Sequence, residues 1–217
     1  MLVKAQAELL VIGRRSLKDV NLPKGCHYLQ TDLSKPESTA QIAAHIQKIG
    51  WEKLDHLVHN AGMGYVGPIQ DQSTETIEAT VEANLKSPIA LTALLFPLLE
   101  KAKGSVCFIG STVKGRATPQ FATYTATKTG LADLARNLAT EWQGRVKVQE
   151  VHPGPTRTAF HAKSGFENPP MVFLFMTPEE VAKGIFESLK SGKRFKSYKM
   201  PSLLFHAIKR SFKGSSK

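Results

Sequence analysis

Residues 124–128 read YTATK, a phenol and an ammonium four residues apart with only small residues between them. On a helix, positions i and i+4 share one face, with Cβ atoms about 5–6 Å apart, so the small spacers leave that face open to a third group. A free tyrosine has a pKa near 10 and is a poor acid or base at neutral pH. A lysine beside it favours the phenolate, so the spacing predicts that Lys128 lowers the pKa of Tyr124. An ordinary amphipathic helix can carry the same pair, and the motif alone does not choose. Three further places hold polar groups where apolar runs end. Ser111 closes GSVCFIGS, Asn60, Ala61 and Gly62 close LDHLVHNAG, and Arg14 and Arg15 follow ELLVIG. Asn84 lies inside a largely apolar helical stretch, where it either bonds solvent or serves a site.

These groups need elements to position them. Short apolar runs at 8–13, 27–33, 54–62, 104–111 and 145–151 have strand length and mostly β-branched or aromatic content. Between them, residues 36–50, 73–103 and 121–142 place apolar side chains at three- and four-residue spacing, which predicts helices. Thr177-Pro178-Glu179-Glu180 reads as an N-cap, a proline and acids opening one more helix. Strand–helix alternation predicts an α/β fold: a Rossmann-like, doubly wound, mainly parallel sheet with helices on both faces. In such sheets ligands bind beyond the carboxyl ends of the strands, where Ser111 and Asn60–Gly62 stand.

Composition bounds the reading. A chain of 217 residues with 41% hydrophobic content suits one α/β domain or two small ones, and residues 1–192 are read as one. Cys26 and Cys107 read as small buried residues of a reduced, intracellular protein. The longest apolar stretches, 89–96 and 171–176, are far short of the roughly 20 residues that span a bilayer. No leader with a cleavage site opens the chain, so a cytoplasmic location is expected. The net charge is +11, but eight of those charges lie in 193–217, a segment without acids. The body, residues 1–192, is therefore nearly balanced, which argues against nucleic acid as its partner. The basic tail, with Leu204, Ile208 and Phe212 on one helical face, is expected to pack on the body or a dimer partner, or to touch a membrane surface peripherally.

In order along the chain, TDL (31–33), HNAG (59–62), Asn84 in EANLKSP, Ser111 in IGST, YTATK and HPGPTRT (152–158), with Pro119 between Ser111 and Tyr124, resemble the short-chain dehydrogenase/reductase family over about residues 5–190. The resemblance implies hydride transfer between a nicotinamide cofactor and a carbonyl or alcohol. Tyr124 would be the general acid/base, and Ser111 would hold the carbonyl oxygen. Lys128 would lower the phenol pKa and bond the nicotinamide ribose, and Asn84 would anchor a water leading from Lys128 to solvent. Asp32, with Leu33 of the same motif, would meet the adenine end, and Asn60, Ala61 and Gly62 the adenosine side. Pro153, Gly154 and Thr158 would pass beneath the nicotinamide. Arg14 and Arg15 stand where an NAD-preferring member carries an acid; their guanidinium forks suit a 2′-phosphate, so NADP(H) is the expected cofactor and no metal is expected. Thr112 is a second hydroxyl beside Ser111, but its spacing to Tyr124 is off by one. Phe160, Phe166 and the run 171–176 suggest an apolar lid and a small hydrophobic substrate. A homo-oligomer is expected.

Two departures from the family pattern bear on these expectations. The family opens with a strand and a TGxxxGxG turn, whereas the first glycine here is Gly13 and MLVKAQA reads as the tail of a helix. The sheet order 3-2-1-4-5-6 would then lack its central strand. That is expected either of a reading frame whose native start lies upstream or of a divergent, non-catalytic member acting as a binding or scaffold protein. The family's short final strand is likewise not visible near the C-terminus.

Overall fold

Parallel strands buried on both faces need no alternation of polar and apolar residues, and the apolar runs at 104–111 and 145–151 form such strands. The computed structural model describes residues 2–165, 175–193 and 195–197. Five strands arise close to the expected places: β1 (Leu9–Gly13), β2 (Cys26–Gln30), β3 (His56–His59), β4 (Ser105–Ile109) and β5 (Lys147–His152). A sixth, β6 (Phe195–Ser197), pairs parallel with β5 from Glu150 opposite Phe195 to His152 opposite Ser197. This corrects the expectation that no final strand is present. Its three residues are too few to show a periodicity, and only backbone pairing with β5 defines it.

The strands make two parallel sheets, β1-β2 and β3-β4-β5-β6. β1 and β3, which would flank a central strand, thus each end a sheet. Their burial reflects this, since β1 is only half-buried throughout while all of β4 is buried. Helices α1 (Ser38–Lys48), α3 (Ser87–Lys101) and α4 (Ala122–Glu141) cover one face. Ile42 and Ile46 of α1 meet Leu91 and Leu95 of α3, and Leu99 meets Val106 and Phe108 of β4, Leu131 and Ala135 of α4, and Val148 of β5. The opposite face, with Cys107, Ile109 and Val151, is covered by Leu189 and Ile185 of α6 (Pro178–Ser191), and by Leu2. Residues 2–7, the described part of MLVKAQA, do not form a helix tail; they hold a single 3₁₀ turn, Val3–Ala5, stopped by left-handed Gln6. The short helix α5 (Phe160–Lys163) follows β5.

The expected capping of α6 is present. Thr177 Oγ1 accepts from Glu180 N–H at 3.1 Å and Glu180 Oε2 accepts from Thr177 N–H at 2.6 Å, a reciprocal box. The stretch 73–103 is not one α-helix. After α2 (Thr74–Val81), the segment Glu82–Lys86 winds as a π turn before α3 begins. Pro88 has no N–H to give Asn84 O, its i−4 acceptor, and Ser87 N–H bonds Glu82 O five residues back instead. Asn84 sits in that widened turn. Both cysteines are free, Cys107 buried and Cys26 half-buried. Among the described residues no helix is long and apolar enough to cross a membrane. Residues 166, 171–174 and 201–213, read above as lid and tail, lie outside the described residues.

Candidate active site

Every β-strand of the larger sheet ends on the same side, because all its pairings are parallel. Beyond those ends lies a cleft of about 490 Å³ with mainly apolar walls. β3 delivers Asn60 and Gly62 to it, and β4 delivers Ser111. α4 adds Tyr124 and Lys128 one turn apart, and the turn after β5 adds Pro153, Gly154 and Thr158. Sequence positions more than ninety residues apart thus meet in one concavity. Thr112 also lines the cleft, with its N–H donating to Pro153 O at 3.2 Å.

Ser111 presents its hydroxyl to the Tyr124 phenol, in the same cleft, and favours the phenolate. Its Oγ also accepts from Val113 N–H at 3.3 Å. Burial pushes the phenol up to about 12, and the Ser111 hydroxyl only partly opposes this. The expected lowering of Tyr124 by Lys128 is therefore overturned in the protein alone. Desolvation disfavours the phenolate more than a nearby charge favours it, and Lys128 Nζ stands 5.8 Å from the ring centroid. Lys128 is itself 4% exposed, and burial pulls its ammonium down to about 8. Its Nζ donates to Ile109 O at 2.8 Å, so the last carbonyl of β4 holds it over the end of the sheet.

Asn84 is fully buried behind the cleft. Its Oδ1 accepts from Met63 N–H at 2.8 Å, and its NH₂ donates to Met63 O at 2.7 Å and Thr127 Oγ1 at 3.1 Å. Both amide protons are thus used, and any water it anchors must donate to Oδ1. These bonds fix the segment after β3 to the turn of α4 that carries Lys128. A Cβ on Gly62 would lie 3.4 Å from Lys128 Nζ and 3.5 Å from Asn84 Oδ1, so Gly62 permits the close approach of all three.

The remaining expected residues lie outside the cleft. Arg14, Arg15, Asp32 and Leu33 follow the carboxyl ends of β1 and β2, in the smaller sheet. Arg14 pairs with Asp32 at 3.9 Å, both groups partly exposed, and Asp32 Oδ1 accepts from Ser34 N–H and Oγ–H. Arg15 is exposed, and its carbonyl accepts from Tyr28 O–H at 2.6 Å. Ala61 is exposed between the two cleft residues that flank it.

An aromatic shell surrounds the phenol; sequence reasoning named its Phe160, as part of an apolar lid, and missed Phe121 and Gly64. Phe121 stacks on Tyr124 with centroids 4.5 Å apart, and Phe160 meets it at 5.3 Å. Gly64 fits against all three rings, where a Cβ would lie 3.0–3.3 Å from each. Phe121 precedes YTATK by three residues, a signal legible as a helical neighbour, whereas Phe160 opens α5 and Gly64 comes from the segment after β3, both distant in sequence. His59, at the end of β3, is neutral; burial lowers it to about 3, and it bonds Thr92 Oγ1 at 2.7 Å and stacks on Phe108. It joins β3 to α3 rather than lining the cleft.

Comparison with known proteins adds the following. A family model described as short chain dehydrogenase matches residues 1–168. The uncharacterized oxidoreductase YciK of Escherichia coli K12 is 33% identical over 130 residues, 59% of this chain and 51% of its own. The sepiapterin reductase of Chlorobaculum tepidum is 28% identical over 162 residues, 74% of this chain and 65% of its own. The chain thus spans about half to two thirds of the length of these relatives. A solved short-chain dehydrogenase from Sphingobium yanoikuyae, in complex with NADPH, gives a TM-score of 0.72 at 23% identity, covering 88% of this chain and 75% of its own. At that identity the likeness is one of fold.

Proposed function

We propose that this chain, which belongs to the short-chain dehydrogenase family, is an NADP-dependent oxidoreductase that reduces a hydrophobic carbonyl compound or oxidises the corresponding alcohol. The convergence of Ser111, Tyr124 and Lys128 on one cleft carries this reading. The residues present suit the two ends of the dinucleotide. Arg14 and Arg15 offer guanidinium groups for a 2′-phosphate, beside Asp32 and Leu33 for the adenine. Asn60, Gly62, Pro153, Gly154 and Thr158 form a wall without charge at the cleft. When bound there, NADPH supplies the hydride.

The chain's own residues do the rest. Ser111 O–H donates to the substrate carbonyl oxygen, where negative charge develops. Tyr124, neutral at physiological pH because its pKa lies about 12, gives its proton to that oxygen. Lys128, mostly protonated at neutral pH with a pKa of about 8, holds a positive charge beside the phenol and can donate to a ribose hydroxyl as well as to Ile109 O. Asn84 keeps Lys128 and Gly62 in register. Phe121, Phe160 and Phe175 line the cleft with apolar surface and exclude water from the carbonyl. That lining supports a hydrophobic substrate. Exposed Ile89 and Leu94 on α3 support a homo-oligomer in which that helix is covered.

Cofactor binding tests the proposal. Titration calorimetry should detect NADPH binding, and Arg14→Ala with Arg15→Ala should weaken it at least about tenfold while NADH changes less than about twofold. Only NADPH has a phosphate to pair with the guanidinium forks. Equal losses for both cofactors would assign the arginines to structure. No NADPH binding, together with no oxidation of NADPH in the presence of aryl or alkyl ketones, would sink the oxidoreductase reading for this chain.

A further inference from the structure

A cluster of half-buried Lys114 with buried Glu150 and His152 lies next to the cleft, and the chemistry above leaves it without a role. Glu150 on β5 has no exposed surface and stands opposite Phe108 of β4, on the face covered by α3 and α4. His152, two residues on and 5% exposed, shares that face. Lys114 enters from the segment between β4 and α4. Its Nζ donates to both oxygens of the Glu150 carboxylate at 3.2 Å. It also lies 2.7 Å from His152 Nε2, and Nε2 lies 3.1 Å from Glu150 Oε2. An ammonium can only donate, so Nε2 accepts from Lys114 and the ring proton sits on Nδ1. That Nδ1 is buried without a partner. A carboxylate taken wholly out of water with a neighbouring N–H unsatisfied is costly to fold, and a hydrophobic strand would have met the needs of packing alone.

What the cluster grips is the turn that carries Ser111. Lys114 N–H donates to Ser111 O at 3.3 Å, closing residues 111–114 into a turn, and Val113 N–H points at Ser111 Oγ. On the other side of Ser111, Gly110 presses against the cluster. A Cβ there would fall 2.6 Å from His152 Nδ1 and 3.2 Å from Glu150 Oε1. Ser111 is therefore bracketed, with its preceding residue seated on the cluster and the side chain three residues on tied into it. We propose that Lys114, Glu150 and His152 are positioning residues that tether the turn 111–114 to β5 and so hold the Ser111 hydroxyl at the Tyr124 phenol. The inference rests on the Ser111–Tyr124 pair of the proposed function, and its test needs no turnover.

The test is NMR of the protein with ¹³C-labelled tyrosine, the Tyr124 Cζ resonance being the one lost in Tyr124→Phe. Ser111→Ala should displace that resonance, because the phenol loses the neighbouring hydroxyl that favours its phenolate. Glu150→Gln should displace it in the same direction by at least about half as much, and Ser111→Ala/Glu150→Gln no further than Ser111→Ala alone, the non-additivity of groups acting through one contact. Glu150→Gln leaves the Lys114 charge facing a neutral amide and can fail to fold. Lys114→Met/Glu150→Gln removes both charges together, a change that buried ion pairs tolerate, and it should fold and show the same displacement. An unmoved resonance in that folded variant, or displacements that simply add, would overturn the tether while leaving the proposed function standing. An unmoved resonance in Ser111→Ala would overturn the tether and the Ser111 role in the reaction alike.

Discussion

Lys128→Met should stabilise the protein while abolishing the activity proposed for it. Burial holds the Lys128 pKa at about 8 against an ordinary lysine value of 10.5. The unfolded chain therefore binds its proton more tightly, and stability attributable to this group rises with pH between those two values. Below about pH 8 the folded protein carries the full cost of a desolvated ammonium, up to about 3 kcal/mol at 1.36 kcal/mol per pKa unit. Methionine keeps the apolar stem and removes the charge, losing only the bond to Ile109 O. For a chain of this size about 3 kcal/mol corresponds to a rise in Tm of roughly 6–12 °C. Thermal unfolding followed at pH 7 and pH 9.5 should show the gap between variant and parent widest at pH 7 and narrower at pH 9.5. A lower Tm for the variant at pH 7 would mean that the ammonium is a net stabiliser, held by more than the one carbonyl. A residue that costs stability where it stands is expected at a site whose chemistry needs it.

The largest kinetic effect should come from Tyr124→Phe. The substitution removes one oxygen and keeps the ring that stacks on Phe121 and Phe160, so the cleft retains its shape. Carbonyl reduction should fall by about 10³-fold, within the range a positioned general acid contributes, while the Kd for NADPH changes less than about threefold. Turnover within tenfold of the parent would remove Tyr124 from the reaction. The pH dependence has a definite sign. With a phenol pKa of about 12, the protonated form that reduction needs is present throughout the neutral range, and the reduction rate should not fall until strongly alkaline pH. Alcohol oxidation needs the phenolate, and its rate should climb about tenfold per pH unit as pH rises toward 12, as far as the fold persists. A plateau of oxidation near pH 8 would show that a bound cofactor lowers the phenol far below its value in the protein alone.

Much of this was written locally in the chain. The pairing of Tyr124 with Lys128 on one helix face follows from the 3.6-residue turn and the small residues between them. The capping of α6 follows from Thr177 and Glu180 three apart, and the strand–helix alternation from runs whose lengths suit a parallel sheet. The order of Asn60, Ser111 and Pro153-Gly154 at strand ends was legible because parallel strands all finish on one side. Tertiary structure decided the signs and the hidden contacts. Whether Tyr124 titrates above or below its usual value depends on how much water the packing of α4, β4 and the aromatic shell removes, and desolvation outweighs a charge 5.8 Å from the ring centroid. The cluster at Glu150 escaped because β5 is covered on both faces. No alternation marks which of its polar residues is solvated, and the partner at Lys114 lies 36 residues away. The π turn at Asn84 and the short strand β6 escaped for a related reason. Each is defined by which backbone groups find partners, five residues back for Ser87 and across the sheet for Phe195–Ser197, and side-chain sequence does not encode those pairings one residue at a time.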